Sequence, residues 1–136
     1  MTKEAEYVEG MDLTLCGSRS GSNAVAVWMI LFTYGPFGWF EKVSILQMRT
    51  RFLCNELDKL GVRYFREPFM NIVTIHAENI EEKIASEFDL VPQQHHGDNK
   101  WYKIVLMDHV EIEHLTTFID HLKASLHAKK SITVNL

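Results

Sequence analysis

A chain of 136 residues, 46% apolar and 24% charged, has the composition of one soluble globular domain that buries roughly two-thirds of the surface its unfolded form exposes. Its 14 basic and 18 acidic side chains give a mildly acidic surface, which argues against a nucleic-acid partner. The apolar run Ala24 to Phe32 is too short for the about 20 residues a membrane span needs, and Met1 to Glu6 is charged and unlike a signal peptide. Cys16 and Cys54 have neither metal-ligand nor disulfide spacing, so a reducing cytoplasm is the expected location.

In chain order, residues 1 to 11 carry no clear pattern and lead into a short extended piece, Leu13 to Cys16. A tight polar loop follows, Gly17-Ser-Arg-Ser-Gly-Ser22, and then an apolar helix to about Tyr34. The loop has the makings of an anion site. Its glycines let the backbone turn closely, Ser18, Ser20 and Ser22 with Arg19 supply donors, and the helix aims free N–H groups and its positive dipole end there. No lysine follows Gly21, so it is not a nucleotide-binding P-loop. A plain turn with a serine N-cap accounts for the loop equally well. The helix itself is apolar on most of its circumference, which in a small domain predicts that something else covers it.

Gly35-Pro36 breaks this helix, and a second one runs from about Phe37 to Leu60. Phe40, Val43, Leu46 or Gln47, Thr50, Leu53, Leu57 and Leu60 form its stripe, with Gly61 placed as a left-handed cap. Ile45, Met48 and Phe52 lie off the stripe and predict a second, partly covered face. Beyond Gly61 the period changes: Val62 to Arg66 and Asn71 to His76 read as strands, separated by Glu67-Pro-Phe-Met70. Ile80, Ile84 and Phe88 mark a short helix between Glu78 and Phe88. Leu90 to Gln93 is a weaker strand, with Pro92 hinting at an edge. Gln94 to Asn99 reads as a loop and Trp101 to Met107 as a central strand. A last helix, about Val110 to Ala128, carries Ile112, Leu115, Phe118, Ile119, Leu122 and Leu126 on one face; the tail from Ser131 is undefined by pattern.

The expected fold is therefore α+β: two N-terminal helices, then a small, mainly antiparallel sheet with helices on one face. The chain divides as an N-terminal segment with an apolar interface helix (1–36), a connecting helix (37–61) and a small α+β domain (62–136). His95-His96 lacks companion ligands, and Cys16 and Cys54 suit the core better than catalysis. Asp108 and Glu111 have the spacing of a capping box.

Gly17-Ser-Arg-Ser-Gly21 before an apolar helix, then Gly35-Pro-Phe-Gly38, Met70-Asn-Ile-Val-Thr-Ile75 and Lys103-Ile-Val-Leu-Met-Asp-His-Val110, resemble the order in group II pyridoxal-phosphate-dependent amino-acid decarboxylases, nearest their tyrosine/aspartate branch. The resemblance runs from about Met11 to His127. It implies the carboxy-terminal part of a fold-type I enzyme, whose preceding large domain holds the cofactor through a lysine that usually follows a histidine. None of the nine lysines here follows a histidine, so this chain alone is not expected to catalyse decarboxylation.

The resemblance further implies a second subunit and a large domain that cover the apolar helix. In the family, the serine that Ser18 resembles reaches the cofactor phosphate across the dimer interface, with Arg19, Ser20 and Gly21 shaping the loop. An arginine at the position of Lys103 lies near the substrate carboxylate in some members; lysine keeps the charge and loses the bidentate fork. The Met-Pro-His-Val-Thr pattern of the family departs here at Asp108 and Glu111. The reading from another class is a non-catalytic, self-associating binding module with a ferredoxin-like β-β-α-β-β-α half.

Overall fold

The computed structural model describes residues 21–95 and 98–134. Its elements run α1 (Gly21–Leu60), β1 (Tyr64–Phe65), β2 (Ile72–His76), a 3-10 turn (Ala77–Asn79), α2 (Glu82–Glu87), β3 (Val91–His95), β4 (Asp98–Val105) and α3 (Ile112–Val134). They fall into two compact units that meet in sequence between Val43 and Ser44, inside α1. The class is α+β, as the sequence predicts.

In the first unit the predicted break lies where Gly35 takes φ 58° and ψ −175°, a conformation that only glycine adopts without strain, followed by Pro36. The apolar helix is exposed within this unit: Trp28 is 61% and Phe32 76% accessible, and Phe37, beyond the break, is 88% accessible. Trp28 stacks on Phe32 at 5.3 Å, Trp39 meets Tyr34 edge-on at 5.5 Å, and the Lys42 ammonium lies 4.9 Å from the Tyr34 ring centroid. These local contacts order the rings on the helix surface without burying them.

The second unit holds the core. The stripe predicted for the long helix is buried from Thr50 onward, through Leu53 and Leu57, whereas Phe40 and Val43, earlier on the same stripe, are exposed. Of the off-stripe residues, Phe52 packs against the core while Ile45 and Met48 are accessible. The buried Thr50 hydroxyl donates to the Leu46 carbonyl at 2.7 Å, which satisfies it inside the helix. The end of α1 is a Schellman motif: Gly61, at φ 68°, donates to Asp58 O (3.1 Å) and Val62 N to Leu57 O (3.0 Å). Val62 is thereby drawn into the core, and β1 is only the two residues Tyr64–Phe65 rather than the predicted five. The end of α2 repeats the motif with Asp89 (φ 49°) in the glycine position, through Asp89 N to Ser86 O and Leu90 N to Ala85 O.

The sheet order is β1-β2-β4-β3, with every neighbouring pair antiparallel. β2 and β3 are thus mutually parallel, joined through α2, with β4 inserted between them: a split β-α-β arrangement. The predicted central strand is central, and the strand with Pro92 is at an edge. Two expectations are corrected. Gln94 to Asn99 is mostly strand, because β3 reaches His95 and β4 starts at Asp98; pairing to a central strand overrides poor intrinsic propensity there. The single helix expected over Glu78 to Phe88 is a 3-10 turn followed by α2.

Alternation on β2 puts Val73 and Ile75 on the core face, in register with Ile104 and Tyr102 of β4. Leu53 and Leu57 from α1, Ile84 and Ala85 from α2, and Leu115, Phe118, Ile119 and Leu122 from α3 complete one core cluster against that face. Phe88 packs edge-on to Phe118 at 5.2 Å. α3 continues to Val134, through residues whose pattern defined nothing. No helix among the described residues is long and apolar enough to cross a membrane.

Candidate functional site

Of the residues the sequence singles out, Ser18, Arg19 and Ser20 lie outside the described residues. Gly21 is the first residue of α1; it is exposed, and a Cβ there would meet nothing within 4 Å. The first turn of α1 carries no acidic side chain, so its positive dipole end meets no carboxylate of that turn. Gly21 belongs to the first unit and Lys103 to the second.

Lys103 lies in the middle of β4, half-buried, and pairs in register with Thr74 of β2 and Val91 of β3. Residues in register share a sheet face, so Lys103 stands opposite the core side, on the strip that also carries Phe65, Ile72, Val105 and Trp101. Thr74 Oγ1 donates to Phe65 O at 3.3 Å. Toward the other end of the strip, His76 meets Trp101 edge-on at 4.9 Å, and the Arg63 guanidinium lies 5.5 Å from the Trp101 ring centroid. His76 Nδ1 accepts from Glu78 N at 3.4 Å.

At the opposite end of the sheet, a network missed by sequence reasoning fixes the loops after β1 and β4. Arg49 on α1 donates to Asp108 O at 2.9 Å and pairs with the Glu111 carboxylate. Gln47, just before the buried Thr50 on α1, donates to Phe69 O and accepts from Arg66, whose Nε donates to Met70 O at 3.0 Å. Asn71 Nδ2 donates to Leu106 O (2.7 Å), and Leu106 N to Asn71 O (2.9 Å). In sequence, Gln47 and Arg49 are polar residues on an amphipathic helix, with no local signal of partners far along the chain.

The capping arrangement also differs from expectation. α3 starts at Ile112, and Glu111, not Asp108, occupies the cap: its carbonyl accepts from Leu115 N (3.2 Å), and its N–H donates to His114 Nδ1 (3.3 Å). The Glu111 carboxylate is thereby left to meet Arg49.

A cavity of about 630 Å³ lies between α1 and the outer edge of β1, lined by residues that include Cys54, Asp58, Tyr64 and Arg66. The Tyr64 hydroxyl donates to Asp58 Oδ2 at 3.2 Å, and burial, then Cys54 and Asp58, push its pKa up to about 12. Burial likewise pushes the Cys54 thiol up, against the opposing pull of Arg66. A buried thiol with a raised pKa is a poor nucleophile, consistent with a core role. Among the described residues, no group of three or more His, Cys, Asp or Glu side chains could hold a metal ion.

No protein-family model matches the chain. It is 48% identical over 132 residues to the tryptophan decarboxylase of Clostridium sporogenes, a match that takes in 91% of this chain and 32% of that protein. It is 34% identical over 123 residues to the L-aspartate decarboxylase of Thermococcus kodakarensis, covering 88% of this chain and 32% of that one. With the L-aspartate/L-glutamate decarboxylase of Pyrococcus horikoshii it shares 28% identity over 126 residues, 90% of this chain and 33% of that one. The chain is thus similar over about nine-tenths of its length to amino-acid decarboxylases, and spans about a third of the length of these relatives.

Proposed function

We propose that the chain is the carboxy-terminal third of a pyridoxal-phosphate-dependent amino-acid decarboxylase. The observation that carries this reading is the 48% identity to a tryptophan decarboxylase over 91% of the chain. The donor set of the polar loop supports it: three serine hydroxyls, one guanidinium and two glycines, leading into a helix whose first turn has no acidic side chain. Pyridoxal phosphate, when bound, supplies the electron sink for loss of the carboxylate. In this reading Ser18, with Arg19, Ser20 and Gly21 shaping the loop, binds the cofactor phosphate of a second subunit. Lys103 orients the amino-acid substrate by its carboxylate. The exposed rings of α1 are covered by the large domain and the partner subunit.

The test is a chimera in which this chain replaces the matching stretch of the C. sporogenes tryptophan decarboxylase, assayed for release of carbon dioxide from tryptophan. Activity above that of the truncated parent is expected, together with an approximately tenfold weaker affinity for pyridoxal phosphate on Ser18→Ala. That is the loss of roughly one charge-assisted hydrogen bond. A folded, soluble chimera without activity would count against the reading.

A further inference from the structure

Met70 N donates to Glu67 O at 3.2 Å, closing a four-residue turn, Glu67-Pro68-Phe69-Met70, between β1 and β2. Phe69 has φ 65°. Proline fixes a negative φ at the second position, so a positive φ at the third makes this a type II turn, where glycine or asparagine is the favoured residue. A bulky aromatic side chain in the left-handed region is strained, and this one is 87% accessible, so its own domain gains almost no burial from it.

The turn is nevertheless held firmly. Gln47 donates to Phe69 O, Arg66 Nε to Met70 O, and Arg66 also bonds Gln47. The Asn71 and Leu106 bonds tie the turn's exit to the end of β4, where Met107 follows. Ile72 and Val105 are in register, so Phe69, Met70 and Met107, the last two 45% and 49% accessible, stand at one end of the sheet. An aromatic ring that shares one end of the sheet with two methionines, on a backbone fixed by side chains of α1 and of Arg66 just after β1, has the make-up of a preorganised interface anchor.

We propose that Phe69, which shares its end of the sheet with Met70 and Met107, anchors this domain in an apolar pocket of the decarboxylase polypeptide that lies outside the matched third. The proposal rests on the reading given above. Relatives about three times as long as the match supply the occupant: roughly two-thirds of their length lies outside this third. The strain at Phe69 then persists because the ring is useful only in the assembled enzyme.

The experiment compares Phe69→Gly and Phe69→Ala in two settings: the chain by itself, and the chimera with the C. sporogenes enzyme. In the chain alone, Phe69→Gly is expected to hold or raise Tm by a few degrees, as relief of left-handed strain offsets the greater freedom of the unfolded state. In the chimera, both variants are expected to lower the midpoint of thermal inactivation by about 5 °C or more, or to reduce activity at least tenfold. A fall of more than about 5 °C in the isolated chain would mean that Phe69 packs on its own domain, and would overturn the proposal. So would variants indistinguishable from the parent in an active chimera, an outcome that leaves the decarboxylase reading standing. An inactive parent chimera defeats that reading and this occupant with it. Weaker self-association of the isolated chain on Phe69→Ala, without change in the chimera, would assign the surface to a second copy instead.

Discussion

Arg49, on α1, and Glu111, the residue that caps α3, form an ion pair in which the arginine side chain is only 11% exposed and the glutamate 51%. The same guanidinium donates to the Asp108 carbonyl, so one side chain fixes both the loop after β4 and the start of the last helix. Residues 59 and 62 positions apart in sequence are thereby joined through a single planar donor group.

Arg49→Ala is expected to destabilise the chain by about 1–3 kcal/mol, since it strips a nearly buried charge-assisted donor from a carbonyl and a carboxylate. Arg49→Lys recovers little, because an ammonium lacks the fork that serves both acceptors. Glu111→Gln, at a half-exposed position, loses less, about 1 kcal/mol or under. Urea unfolding of the three variants checks the order; equal losses for Arg49→Ala and Glu111→Gln would assign the whole effect to the ion pair.

Leu57 is fully buried and serves two structures, the core and the Schellman end of α1, where its carbonyl accepts from Val62 N. Leu57→Ala removes only the side chain, so the cap remains and a cavity is left. The expected loss is about 2–5 kcal/mol. Gly61→Ala spares the core and strains the cap, with a smaller loss of about 1 kcal/mol. Chemical denaturation with circular dichroism separates the two.

Tyr64 gives the pH dependence. Its folded pKa, about 12, lies above the ordinary value of 10, so its protonated form is favoured by folding. The stability this provides is complete below pH 10 and is lost as pH rises from about 10 through 12. Absorbance near the tyrosinate band should show a late-ionising component from Tyr64 in the folded chain, and Tyr64→Phe should remove that component and flatten the alkaline loss of stability. Late ionisation unchanged in Tyr64→Phe would place the shifted group elsewhere.

The exposed rings of the first unit predict self-association of the isolated chain. Phe32, Phe37 and Phe40 are all more than 70% accessible. Sedimentation should show concentration-dependent oligomers, and the triple substitution of these residues by serine should shift the chain toward monomer. A clean monomer at high concentration for the unsubstituted chain would refute this prediction.

The parts of the fold that depend on local chemistry were legible in the sequence. Gly35-Pro36 had to interrupt a helix, Gly61 had to end one, and the β-branched run from Asn71 to His76 had to favour a strand. Pro92 pointed to an edge strand because proline lacks a ladder donor. The stripe on α3 was readable for the same reason: Leu115, Phe118, Ile119 and Leu122 repeat at helical spacing. The polar loop from Gly17 offers residue types that suit an anion, and its geometry lies outside the described residues.

Only the tertiary structure decided what depends on residues distant in the chain. The strand character of Gln94, His95 and Asn99 comes from pairing with neighbours, not from their own propensity. The cap of α3 moved from Asp108 to Glu111, whose carboxylate finds Arg49 more than sixty positions away. Phe69 looked like any residue of a connecting turn until its positive φ and its exposure were seen together. Sequence patterns encode periodicity and local backbone preference. Long-range pairing and the strain it sustains are properties of the packed chain, because they arise from groups brought together only by folding.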